Sequence, residues 1–223
     1  MSNAMWTGLP LRDLVLAAGP RSGATKVVLR GADGYTDTYS LEKALEPTTF
    51  VAYGMNGAPL PVRHGYPVRI LTPGLFGEKS IKWVTRIELV DHDVKGFYEQ
   101  QGWGPSFVVP IRTTFFTSDF QTQLTPGATI ALRGNAFAGN QGIASVEISD
   151  NGGVSWQPAR IDYPGTDITW SFWSFTWQPR APGDYTLIAR ANDRRGQRQI
   201  ESYRDTAPDG TTGLPSLRVR VTA

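Results

Sequence analysis

The chain opens with WTGLPLRDLVLAA over residues 6 to 18, a run whose apolar positions recur at helical intervals. Pro10 stands near the start of the predicted helix, Leu11, Leu14, Val15 and Ala18 share one face, and Gly19-Pro20 ends it. KVVLRGADGY then reads as a buried strand entering a loop. SLEKALEP predicts a short helix with Ser40 as N-cap and Pro47 as its stop. FVAYGMNGAPLP is a strand that breaks into an Asn-Gly turn, and IKWVTRIELV alternates as a further strand. In strand spacing Ser80 and Lys82 share one face, while Ile81 and Trp83 point the opposite way.

After GWGPSFVVP the texture changes. TIALRGNAF, IASVEISDNGGVSWQPARI, WSFWSFTW, DYTLIARANDRRG and SLRVRVTA alternate with a period of two, are divided by turns, and show no helical period. SDNGGVSW predicts a hairpin with glycine at the positions that need a positive φ. Such strands in series indicate an immunoglobulin-like sandwich without the usual disulfide. The fold class expected is α+β: a mixed α/β first part over residues 6–108, then an all-β sandwich over 109–223. The opening MSNAM reads as a tag scar over residues 1–5.

Composition narrows this picture. The chain has 24 Gly and 16 Pro, a density of turn signals that suits many short strands. A net charge of +2 excludes a strongly basic nucleic-acid surface, so any cluster of cations must act locally. No apolar run approaches the roughly 18 residues of a membrane span, and no charged-then-apolar leader opens the chain. There is no cysteine, hence no disulfide, no thiolate metal ligand and no cysteine nucleophile.

The segment HGYPVRILTPGLFGEKSIKWVTRIEL crowds His64, Arg69, Lys79 and Lys82 onto strand-like runs around a Pro-Gly turn. Taken singly, the histidine reads as a turn residue and the cations as solvated charge. Asp33 and Asp37 in GADGYTDTYS read as turn residues, and His92 and Asp93 diverge on an extended segment rather than pair on a metal. Trp170, Trp173 and Trp177 read as sandwich core and interface. No Gly-rich phosphate loop, zinc spacing or Ser-His-Asp arrangement is present.

Taken together, AYGMNGAPLPVRHGYPVRILTPGLFGEKSIKWVTRIEL resembles the second half of the molybdopterin-binding domain of the sulfite oxidase family. The family pattern there runs Tyr-x-Met-Asn-Gly, Pro-Leu-Pro, His-Gly-[Phe/Tyr]-Pro-x-Arg, a Pro-Gly turn and Lys-Trp. GIASVEISDNGGVSW and WSFWSFTW likewise resemble the family's C-terminal dimerisation domain, so the likeness runs from Trp6 to Ala223. The resemblance implies a molybdenum cofactor whose pyranopterin carries a phosphate, an anion that needs fixed cationic donors when buried. By position, His64, Arg69 and Lys82 are implied as cofactor contacts, with Lys79 and Ser80 as helpers. It implies a bacterial periplasmic or envelope setting, a small-molecule substrate, and a homo-oligomer with neither nucleic acid nor a membrane span.

The same resemblance exposes departures. Family members hold molybdenum through one cysteine as well as the pterin dithiolene, and soft sulfur suits that metal. The chain has none, so the expectation is a piece lacking the upstream half of its domain, with no molybdenum bound and no activity of its own. Such a piece would show self-association, strand exchange or disorder over residues 5–105. Trp103 in EQQGWGPS stands where sulfite oxidases place a tyrosine, and no Trp-Asn-x-Arg-Gly element follows, which argues against sulfite as substrate. The rival reading is a non-catalytic interaction or dimerisation module with a degenerate cofactor domain. A weaker third is a carbohydrate-binding sandwich using the WSFWSFTW aromatics.

Overall fold

The computed structural model describes residues 3–116 and 124–222. The chain divides into two compact units: Met1–Val108 with Ala207–Asp209, and Val109–Thr206 with Gly210–Ala223.

The first unit begins with strand β1 (Trp6–Pro10), which runs directly into helix α1 (Leu11–Ala17). Pro10 ends the strand in an extended conformation and leads the helix, where its missing N–H costs nothing. Leu11 and Val15 are buried, one turn apart, but Leu14 is exposed, so the inward stripe is narrower than the sequence pattern implies. Strands β2 (Lys26–Gly31) and β3 (Thr36–Ser40) form a hairpin. Helix α2 (Leu41–Leu45) follows at once, and Ser40 caps it by accepting a hydrogen bond from the Lys43 amide.

Strand β4 (Phe50–Met55) is the spine of a second sheet. One edge pairs with β1; the other pairs with β5 (Ala58–Pro59) across the Asn56-Gly57 turn and with β6 (Arg69–Leu71). Asn56 and Gly57 both take positive φ, the conformation such a turn needs. Strand β7 (Val84–Val90) pairs with β2 to complete a three-stranded antiparallel sheet, and α3 (Phe97–Gln100) is a single turn. Leu11, Val15, Val27, Leu29, Tyr39, Ala44, Val51, Ile70 and Ile81 form the core of this unit. Disorder over residues 5–105 is therefore not what the structure shows, because this part closes an apolar core of its own.

In one respect the strand reading of IKWVTRIELV is corrected. The strand begins only at Val84. Trp83 has a φ of 52°, which breaks the two-residue alternation, and the indole Nε1 turns back to donate to the Val62 carbonyl at 2.7 Å. Lys82 and Trp83 consequently lie side by side, with the ammonium 4.1 Å from the ring centroid.

The second unit is a sandwich of two four-stranded sheets. One comprises β8 (Arg112–Phe115), β9 (Ile130–Phe137), β12 (Arg160–Tyr163) and β13 (Ser171–Trp177), in the order β12-β13-β9-β8. The other comprises β10 (Ile143–Ser149), β11 (Gln157–Pro158), β14 (Gly183–Asp193) and β15 (Ser216–Val221), in the order β11-β10-β14-β15. The SDNGGVSW turn joins β10 to β11, with Gly152 and Gly153 both at positive φ. Alternate residues of β9, β10, β13 and β14 point inward to one continuous core. Trp173 and Trp177 belong to that core, whereas Trp170 is half-buried and stacks on Phe137 at 4.6 Å. Burial of Trp173 and Trp177 counts against the carbohydrate reading of these indoles. No helix among the described residues is long and apolar enough to cross a membrane.

Candidate cofactor-binding site

Between Glu46 and Glu78 the chain carries no acidic residue, and none again before Glu88. That gap spans the turn and strand that hold the expected site. Val62–His64 form a 3-10 turn closed by Gly65, whose φ is 113°. A Cβ built on Gly65 would lie 2.9 Å from the Arg69 Cβ, 3.2 Å from the Lys82 Cβ and 3.3 Å from the Lys82 Cα. His64-Gly65, Arg69 and Lys82 therefore converge on one point, and only a residue without a side chain lets them do so.

Arg69 is half-buried at the start of β6. Its Nη1 donates to the His64 carbonyl at 3.1 Å, its Nη2 to the Ser80 carbonyl at 3.3 Å, and its guanidinium carbon lies 5.1 Å from the centre of the Trp6 ring. Its Nε is buried and has no acceptor. No carboxylate pairs with Arg69 or Lys82 among the described residues. Burial alone draws the Arg69 pKa down from its ordinary value, with no anion to offset it. Neutral carbonyls thus orient a guanidinium whose charge is uncompensated.

Among the described residues Lys82 reaches the Arg63 carbonyl, at 3.4 Å, and the Trp83 ring. The His64 imidazole has no hydrogen-bond partner among the described residues. Ser80 faces inward: its hydroxyl accepts from the Thr72 amide at 3.1 Å, and its carbonyl serves Arg69.

Lys79 is placed apart from these residues. Its ammonium is buried and pairs with Asp37 at 2.6 Å, donates to the Thr38 carbonyl at 3.0 Å, and lies 3.8 Å from the centre of the Phe107 ring. Burial pushes the Asp37 carboxyl above its ordinary pKa, against the pull of the Lys79 ammonium, the Thr38 amide and the Tyr35 hydroxyl. Glu99, beside the pair, is pushed up by burial, but bonds from the Gly96 amide and the Thr38 hydroxyl outweigh it and leave its pKa lowered.

The remaining sequence candidates fall outside this arrangement. Asp33 accepts from the Tyr35 amide within a turn, as loop aspartates do. Asp93 pairs with Lys26 and His92 lies against Asp91, both at the surface. Trp103 packs edge-on against Tyr98 at 6.0 Å. No group of His, Cys, Asp and Glu among the described residues is placed to hold a metal ion. Sequence reasoning did not single out Trp6, Thr72 or the role of Gly65. Only Gly65 carried a signal, as part of the His-Gly-x-Pro motif.

The family model described as "Oxidoreductase molybdopterin binding domain" matches residues 1–98, and "Bacterial Ig domain" matches residues 116–189. The mitochondrial sulfite oxidase of Rattus norvegicus is 30% identical over 251 aligned positions, covering 98% of this chain and 44% of the rat protein. The chain belongs to the sulfite oxidase family. The sulfite oxidase family member from Drosophila melanogaster, also a mitochondrial sulfite oxidase, is 31% identical over 91% of this chain and 42% of its own length. A nitrate reductase [NADPH] from Fusarium oxysporum is 32% identical over 75% of the chain and 22% of its own. Among solved structures, the sulfane dehydrogenase SoxCD from Paracoccus pantotrophus shares the fold with a TM-score of 0.79 at 22% identity, over 99% of this chain and 63% of that one. The chain spans about half the length of the sulfite oxidases it matches.

Proposed function

We propose that His64, Arg69 and Lys82 form part of the cradle for the phosphate-bearing pterin of a molybdenum cofactor, in an oxidoreductase of the sulfite oxidase family. The observation that carries this reading is Arg69: a half-buried guanidinium whose Nε is buried without an acceptor and which has no carboxylate beside it among the described residues. A protein leaves a charge so placed when an anion completes it, because an unpaired buried ion is costly. Arg69 would offer phosphoryl oxygen the remaining N–H groups at the accessible edge of its half-buried guanidinium, Lys82 would add a point charge, and the His64 imidazole, which has no partner among the described residues, suits a pterin or phosphate oxygen. Ser80 and Lys79 support the cradle from the segment that leads to Lys82. When bound, the cofactor supplies two-electron oxygen-atom transfer on a small substrate. The residues of this chain hold and orient it.

The donor set fits the organic part of the cofactor and not the metal. With no cysteine, the chain supplies no thiolate, so we infer that the chain alone binds no molybdenum and is inactive. Elemental analysis of the purified chain checks this, and stoichiometric molybdenum refutes it. Sulfite does not enter the proposal: by the resemblance, Trp103 stands where sulfite oxidases place a tyrosine, and an indole cannot reproduce a phenol's hydrogen-bond acceptance.

The cradle itself is tested by titrating the chain with inorganic pyrophosphate in a calorimeter. Saturable binding that Arg69→Met weakens by about 10- to 100-fold supports it, the effect of one charge-assisted contact. No saturable heat, or an unaffected variant, overturns it. A second reading draws on the same absence of cysteine: the sandwich acts as a self-association module of a homo-oligomer, and the first unit is a degenerate support. In that case the sandwich self-associates in sedimentation experiments while pyrophosphate does not bind.

A further inference from the structure

We propose that the buried Asp37–Lys79 pair positions the cation cradle, with Lys79 acting as a strut rather than as a contact to the anion. This inference rests on the cradle reading above. Lys79 closes the 3-10 turn Gly77–Lys79, and its side chain ties that turn to β3 through Asp37 at 2.6 Å and the Thr38 carbonyl at 3.0 Å. The two side chains are 3% and 1% exposed, so the pair is shut off from water. Glu99 lies 3.7 Å from the ammonium and the Phe107 ring covers another side. No direction remains open from which an external phosphate could reach Lys79.

The backbone of the same turn does reach the cradle. The Thr72 hydroxyl donates to the Lys79 carbonyl at 2.7 Å, and the Thr72 amide donates to the Ser80 hydroxyl at 3.1 Å. The Ser80 carbonyl then receives Arg69 Nη2. A continuous chain of bonded groups therefore runs from Asp37 to the guanidinium, and two residues further on the segment delivers Lys82. Buried ion pairs add little net stability against an apolar replacement, and their best-attested use is to enforce one geometry. Here that geometry is the direction of the Ser80 carbonyl, hence the aim of Arg69.

The test follows the Arg69 Nε–H signal by nitrogen-15 NMR, assigned with Arg69→Lys, in Asp37→Asn, Lys79→Met, the double variant and Thr72→Val. Without ligand, the strut predicts that Asp37→Asn and Thr72→Val speed solvent exchange at Arg69 Nε–H by about tenfold, the loss of one hydrogen-bonded restraint. The Ile70 amide, bonded to the Ile81 carbonyl, stays protected as the control for an intact fold. With inorganic pyrophosphate, Asp37→Asn and Lys79→Met each weaken binding by about tenfold, and the double variant is no worse than either single one.

Asp37→Asn decides the matter by sign. Removing a negative charge near an anion site tightens binding if only long-range electrostatics operate, and weakens it if the carboxylate works by position. Unchanged or tighter binding in Asp37→Asn overturns the strut, as does an unmoved Arg69 signal in both Asp37→Asn and Thr72→Val. Should Asp37→Asn fail to fold, the charge-neutral Thr72→Val decides alone. If the wild type shows no pyrophosphate binding, the cradle reading fails, and the ligand-free exchange data still judge the strut separately.

Discussion

Replacing Gly65 by alanine introduces a methyl group at the point where the proposed cradle closes. Two costs follow from the structure. The residue sits at a φ of 113°, where an L side chain is strained by about 1–2 kcal/mol. The new Cβ also stands 2.9 Å from the Arg69 Cβ and 3.3 Å from the Lys82 Cα, so a strand and a backbone segment must shift, at about 1–3 kcal/mol. Gly23→Ala is the matched control, because Gly23 has a φ of 96° with nothing within 4 Å of a built Cβ, and it carries the first cost alone. Native-state hydrogen exchange at the buried Val27, Val28 and Leu29 amides reads the stability of the first unit without requiring both units to unfold together. Gly65→Ala is expected to lower it by about 2–5 kcal/mol, and by about 1–3 kcal/mol more than Gly23→Ala. Equal losses in the two variants refute the close approach of Arg69 and Lys82.

Three further outcomes are expected. Ser40→Ala removes the bond to the Lys43 amide and should cost the first unit about 1 kcal/mol in chemical denaturation. Trp173→Ala empties the centre of the sandwich, where the indole also donates to Thr113 Oγ1 and the Asn135 carbonyl; calorimetry should show a loss of about 3–5 kcal/mol in the second unit. A bond from Arg190 Nε, aided by Asn192 and opposed by partial burial, holds the Glu147 carboxyl below its ordinary pKa of 4.5. The unfolded chain then takes up the proton more readily, so this stabilisation is present above pH 4.5 and lost as pH falls through the lower folded value. Glu147→Gln should flatten that part of the acid unfolding curve of the sandwich.

Features written locally were legible in the sequence. Ser40 ahead of LEKAL, Asn56-Gly57 between two strands, and Gly152-Gly153 in the later hairpin each need only neighbouring residues to act, and each does so. Inward alternation in the sandwich was legible for the same reason, since a pleated strand exposes its period directly. Residues 80 to 83 misled because Trp83, in the left-handed region, leaves the core side that Ile81 keeps and lies beside Lys82, and hydrophobic pattern does not register φ. The partner of Lys79 was hidden more deeply. Asp37 lies on another strand, and what sets this lysine apart from Lys82 is which long-range neighbour each meets. Cation density marks a region, but tertiary packing assigns each charge its task.

A guanidinium without a counter-charge also makes this polypeptide sensitive to its buffer. Any small multivalent oxyanion that settles against Arg69 binds the native form in preference to the unfolded one, and mass action then adds stability with its concentration, about 2.7 kcal/mol at a hundredfold excess over the dissociation constant, and raises the melting temperature accordingly. Preparations in sulfate or phosphate would melt at a higher temperature than those in chloride, so measured stabilities are comparable only at matched solute composition.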